Sequence, residues 1–173
     1  MRKYTIFSIK KDAIKRGIDR DIIRDISEFY TIKNLKELNI DRKTALHLKD
    51  NEWKTNWNPS PSDEVKRLCC NYESGKVIVV LCEINTPKDA VKFGTKLKGL
   101  SYLPHLCSKK SIRGKYADAS MLNRLHQDKL NKIFVLLDRN GKKISTVPNI
   151  LHSVDNDIEF NDYMSLFFTD VKL

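Results

Sequence analysis

The stretch Asn149-Ile150-Leu151-His152-Ser153-Val154-Asp155 sets an imidazole at the close of a short apolar run, with an amide three residues before it and a carboxylate three after. An imidazole held between a strand end and a helix start can be both oriented and reached by solvent. Its neutral nitrogen is then a nucleophile for an anionic phosphate. Two cationic segments suit the same chemistry: Lys10-Lys11-Asp12 follows the first apolar run, and Ser111-Ile112-Arg113-Gly114 lies upstream of the histidine. An ammonium neutralises phosphate as a point charge, whereas a guanidinium offers a planar fork of donors. His47, His105 and His126 have no comparable setting and read as incidental.

The elements that must position these groups belong to a chain of 173 residues, enough for one domain or one domain with insertions. An apolar fraction of 40% supplies a core, and 31% charged residues argue for a soluble protein. No apolar run is long enough to cross a bilayer. The charge-interrupted start Met1-Arg2-Lys3-Tyr4 argues against a secretory signal. Cys69, Cys70, Cys82 and Cys107 form no CxxC pair and read as reduced thiols of a cytoplasmic protein. The net charge of +10 favours anionic partners: nucleotides, nucleic acid or an acidic protein surface. Its basic residues are scattered, without an arginine-rich arm or an aromatic–basic array, so nucleic-acid binding rests on charge alone.

Tyr4 to Ile9 reads as a strand closed by two lysines, and the spacing of Ile22, Ile23, Ile26, Phe29 and Tyr30 predicts an amphipathic helix over about 19–30. Residues 31–40 alternate imperfectly, as a second strand with a helical alternative. Asp41 is a candidate cap for a short helix through Leu48. A polar loop over 51–61 carries both tryptophans, and Ser60-Pro61-Ser62-Asp63 opens a helix ending near Ser74-Gly75. Lys76 to Ile84 is a nearly unbroken apolar strand, a pattern of burial on both faces or at a sheet centre. Thr86-Pro87-Lys88-Asp89 opens another helix, which Gly99 stops. Residues 100–116 are irregular, and Ala117 to Lys132 has helical spacing. Asp138-Arg139-Asn140-Gly141 is a hairpin turn between two strands. A short strand at Ile150-Leu151 precedes a last helix anchored by Ile158, Met164, Leu166 and Phe167. The order fits a ferredoxin-like βαββαβ antiparallel sheet with helices on one face, in one domain over 1–173 with a helix–hairpin insertion at about 117–147.

Three separated segments, in order, resemble the nucleoside diphosphate kinases. Thr5 to Gly17 is similar to that family's opening strand and Lys-Pro-Asp-Gly turn, with Lys11 for proline and Ala13 for glycine. Ser111-Ile112-Arg113-Gly114-Lys115-Tyr116 resembles Thr-Ile-Arg-Gly-Asp-Phe. Asn149 to Asp155 resembles Asn-x-x-His-Gly-Ser-Asp, and Leu166-Phe167-Phe168 resembles the closing Leu-Trp-Phe. Arg113 and His152 are 39 positions apart, more than in typical members, and the insertion accounts for the excess.

The resemblance implies an ATP-binding transferase that passes a phosphoryl group from nucleoside triphosphates to diphosphates through phospho-His152. Mg²⁺ would be held largely by the nucleotide phosphates, and a homo-oligomer is implied. Carried over residue by residue, Lys10, Arg113, Ser101 and Asn149 would contact phosphate and sugar. Trp53, within Leu48-Lys49-Asp50-Asn51-Glu52-Trp53, would cover the base, unless it or Trp57 only pins the loop. The departures imply weakened chemistry. Ala45 stands for a tyrosine, Thr95 for a phosphate-binding arginine that Lys96 or Lys98 could replace, and Val154 for a serine. Tyr163, beside Asp162, stands for the glutamate that orients the histidine. A catalytically weak or inactive nucleotide-binding or protein-interaction module of the same fold is the alternative.

Overall fold

The computed structural model describes residues 1–56, 61–101, 103–130, 133–147 and 149–173, with only the backbone considered at 51–56 and 122. In chain order the elements are β1 (Tyr4–Ile9), α1 (Lys11–Lys15), α2 (Asp19–Ser27), β2 (Tyr30–Ile40), α3 (Arg42–Asn56), α4 (Asp63–Glu73), β3 (Gly75–Ile84) and α5 (Ala90–Lys98). There follow α6 (Ile112–Lys115), β4 (Leu125–Asp128), β5 (Ile133–Leu137), β6 (Lys143–Thr146), β7 (Leu151–Ser153) and α7 (Asp157–Phe167). Four strands form an antiparallel sheet in the order β2-β3-β1-β7, which is the ferredoxin-like arrangement.

The unbroken apolar run of β3 explains its central place. Ile78, Val80 and Cys82 face one buried cluster with Phe7, Ile22, Ile26 and Ile112. Val77, Val79 and Leu81 face the other with Ala45, Leu48, Tyr163 and Phe168. Helices therefore cover both faces, with α2 on one and α3 and α7 on the other, where the order of elements had implied one. Side-chain caps start the helices where the turn residues predict. Ser62 accepts from Val65 N–H to open α4, and Asp89 accepts from Lys92 N–H to open α5. Gly99 ends α5 at φ 108°, a backbone conformation that suits glycine.

Several segments depart from the sequence pattern: α2 stops at Ser27 so that Tyr30 opens β2, and α6 lies within the stretch read as irregular. The helix begun after Asp41 continues through Asn56, so residues 51–56 are helical rather than loop. Over 117–130 the predicted helix shrinks to a 3₁₀ turn at Ala119–Arg124, and β4 follows it, while residues 131 and 132 of that prediction lie outside the described residues. β5 has β4 on one side and β6 on the other, and pairing along that strand outweighs the helical spacing of the leucines. This three-stranded sheet packs on α4 through Val65, Leu68, Ile133 and Val135. Among the described residues, no helix is long and apolar enough to cross a membrane.

Candidate active site

β7 pairs antiparallel with β1 and sets His152 opposite Ser8. One step beyond β1, Lys10 N–H donates to the Ile150 carbonyl at 2.9 Å, which brings Lys10 beside the histidine strand. His152, Lys10, Arg113 and Asn149 line one cavity of about 350 Å³. Lys49 and Lys98 add two further ammonium groups to it, and Glu73 and Asp155 add carboxylates. The walls include Ile133, Phe134 and Val147, the first two from the inserted sheet.

The imidazole is held by a carboxylate that the sequence pattern had not singled out. His152 Nε2 lies 2.7 Å from Glu159 Oε1, and the Asp155 N–H donates to Glu159 Oε2 at 2.7 Å. Glu159 is buried in the first turn of α7, where its own N–H donates to Asn156 Oδ1 at 2.9 Å. Burial alone would raise the Glu159 carboxyl. The nearby His152 and the Asp155 N–H outweigh it and hold Glu159 below the usual carboxylate range. An ionised carboxylate accepts only, so Nε2 is the ring nitrogen that donates to Glu159. Among the described residues, Nδ1 makes no hydrogen bond. The Tyr163 ring stacks on the imidazole at 6.2 Å between centroids.

The cations are partly committed inside the protein. Arg113 Nε donates to Leu151 O at 3.0 Å, and Nη1 donates to Gly99 O at 3.1 Å and Ser101 O at 3.0 Å. Lys98 donates to Asp155 Oδ1 at 2.9 Å and to Ser153 O at 3.3 Å. Burial and Arg113 lower the Lys98 ammonium against the pull of Asp155. Burial opposes ionisation of Asp155 too, but Lys98 and His152 bring its carboxyl below the ordinary value. Lys10 is bonded to Glu73, whose second oxygen lies 3.3 Å from Lys49 Nζ. Among the described residues, the buried Asn149 Oδ1 atom has no hydrogen-bond partner.

No protein-family model and no curated protein matches the sequence. Solved structures do match in shape. A nucleoside-diphosphate kinase from Borrelia burgdorferi, a transition state mimic with bound vanadate and ADP, has TM-score 0.70 at 19% identity, covering 97% of this chain and 88% of that one. The enzyme from Encephalitozoon cuniculi, without ligand, has TM-score 0.65 at 22% identity over 99% and 92% of the two chains. An NDP kinase from Pyrobaculum aerophilum has TM-score 0.65 at 20% identity over 96% and 95%. This chain has the nucleoside diphosphate kinase fold.

Within that fold the departures acquire physical content. At the position expected for the orienting glutamate, Tyr163 is buried and stacked, while Glu159 on the same helix contacts the imidazole. Asp162 instead lies 4.0 Å from His47. Thr95 donates to Asp155 Oδ1 at 2.7 Å, and Lys98 rather than Lys96 lines the cavity. Ala45 and Val154 are fully buried in the core, so neither position offers a hydroxyl. Ser101 accepts from Leu103 N–H at 3.0 Å and is not among the cavity-lining residues, whereas its neighbour Leu100 is. Trp53 falls on the α3 backbone, and its side chain lies outside the described residues. Of the groups missed in the sequence, Glu159 had a signal: Asn156-Asp157-Ile158-Glu159 is a capped helix start with glutamate at the third position. Glu73 and Lys49 had none, because only the packing of α4 against α3 brings them to Lys10, just after β1.

Proposed function

We propose that the cavity binds nucleoside tri- and diphosphates and that His152 carries a phosphoryl group between them. The observation that carries this reading is the 2.7 Å contact of Nε2 with buried Glu159, in a cavity shared with Lys10, Arg113 and Asn149. In the first half-reaction the Nδ1 lone pair forms a bond to the γ-phosphorus. The bond from that phosphorus to the bridging oxygen breaks, and its electrons leave on the nucleoside diphosphate. A second diphosphate reverses the step. No proton moves from Nδ1, so the protein's part is to align the nitrogen and neutralise charge. Glu159 fixes the ring and balances the positive charge that develops on it.

Mg²⁺ belongs to this reading as part of the nucleotide substrate. Among the described residues no trio of His, Cys, Asp or Glu side chains could hold a metal, and Glu73 and Asp155 are both engaged by lysines. Assembly into a homo-oligomer and residence in the cytoplasm belong to the same proposal. Support for assembly comes from β2, an 11-residue strand at the sheet edge, and light scattering of the purified protein measures whether it is an oligomer.

Purified protein given Mg²⁺ and γ-labelled ATP is expected to form an acid-labile, base-stable phosphoprotein that His152→Ala abolishes. Absence of that label from the wild type sinks the transferase reading. The internal bonding of Lys10 and Arg113 favours a second reading, a nucleotide-binding module that turns over slowly or not at all. ADP binding equal in wild type and His152→Ala, without label in either, is its signature.

A further inference from the structure

Glu73 is an odd residue to find where it is. It is the last residue of α4, at the helix end whose dipole disfavours a negative charge, and its side chain is only 13% exposed. Burial raises the cost of ionising it. Lys10 and Lys49 overcome that cost together and hold its carboxyl far below the usual range. Lys10 is itself only 3% exposed, so this is an ion pair inside the cavity wall rather than a surface contact. All three groups line the cavity that His152 and Asn149 also line. One oxygen of Glu73 meets Lys10 and the other meets Lys49, as two oxygens of a phosphate would.

We infer that Glu73 is a specificity-determining residue: its carboxylate occupies the anion position between Lys10 and Lys49, and a polyphosphate binds by displacing it. The inference rests on the nucleotide reading for the identity of the ligand, but not for the existence of the anion position. A ligand with too little charge cannot replace an anion already bonded to two ammonium groups. A di- or triphosphate can, because it brings several oxygens to the same cations. The resident carboxylate thus keeps the buried Lys10 and the half-buried Lys49 paired and reduces the site's affinity for small anions.

The test is calorimetric titration of the full chain with Mg-ADP and, separately, with inorganic pyrophosphate. Wild type, Glu73→Gln, Lys10→Met and the double variant are compared, each checked for folding by circular dichroism. Glu73→Gln is expected to tighten both ligands about tenfold, equivalent to roughly 1.4 kcal/mol. In the Lys10→Met background the same change is expected to have much less effect. Unchanged or weaker binding of both ligands by folded Glu73→Gln overturns the inference and leaves the nucleotide reading standing. Tighter pyrophosphate without any ADP binding supports Glu73 and removes the nucleotide. No binding of either ligand by any variant overturns both. Should Glu73→Gln not fold, a crystal structure of the wild type with ADP or pyrophosphate decides. Lys10 Nζ on a phosphate oxygen with Glu73 moved away supports the inference, and an intact Lys10–Glu73 pair beside bound phosphate refutes it.

Discussion

On the proposed reading, Glu159 orients His152 in place of the residue that the kinase resemblance sets at Tyr163. The orienting carboxylate comes from the first turn of α7 instead of a position one turn later, where Tyr163 stacks on the ring. Glu159→Gln keeps an acceptor for Nε2 but removes the charge that balances the developing imidazolium. It is expected to slow labelling by roughly 10–100-fold, by analogy with the outer carboxylate partners of metal-bound histidines, with little change in ADP affinity. Rapid-quench phosphorylation and calorimetry separate the two effects. Gly114 is the other residue whose identity is forced. A Cβ there would lie 2.1 Å from the Ser108 carbonyl oxygen, so the glycine of the Ser-Ile-Arg-Gly stretch permits the close packing that seats Arg113. Gly114→Ala should cost roughly 1–3 kcal/mol as overpacking against backbone, read from urea midpoints.

Among the elements, the inserted sheet has the clearest effect on the cavity. β5 contributes Ile133 and Phe134 to its wall, and the sheet is held to α4 by Leu68, which is fully buried, with Val65 and Val135. Leu68→Ala should lose about 2–5 kcal/mol if the neighbours cannot close the gap. Hydrogen exchange is expected to rise in β5 and β6 before it rises in β1 and β3. The sequence read β3, the Asn140-Gly141 hairpin and the helix caps because each depends on local chemistry. The unbroken apolar run has one stable place, at the centre of a sheet. Gly141, at φ 77°, accommodates a turn that other residues resist. The stretch over 117–130 departs from its helical spacing because its outcome depends on β5, a separate strand. Its leucines have helical spacing, but Leu125 pairs with Leu136 across the sheet.

At the scale of the molecule, folding gathers three carboxylates, Glu73, Asp155 and Glu159, around lysines and a histidine, each held below its ordinary value. A carboxyl lowered on folding contributes stability that is complete above its unfolded value of about 4 and is lost as the pH falls through the folded one. Wild type is therefore expected to lose more stability between pH 7 and pH 3 than Glu159→Gln does, measured by urea denaturation at each pH. The opposite order would mean that Glu159 is not ionised in the folded protein. The sequence by itself determined the ferredoxin-like order of strands and helices, because alternation, apolar runs and caps act over neighbouring residues. It also marked His152, Lys10, Arg113 and Asn149, which the fold brings to one cavity. Only the tertiary structure decided which carboxylate meets the imidazole and which anion holds Lys10. Those pairings join residues far apart in the chain, and their charges stay buried only because each desolvated group finds its opposite across the packed elements.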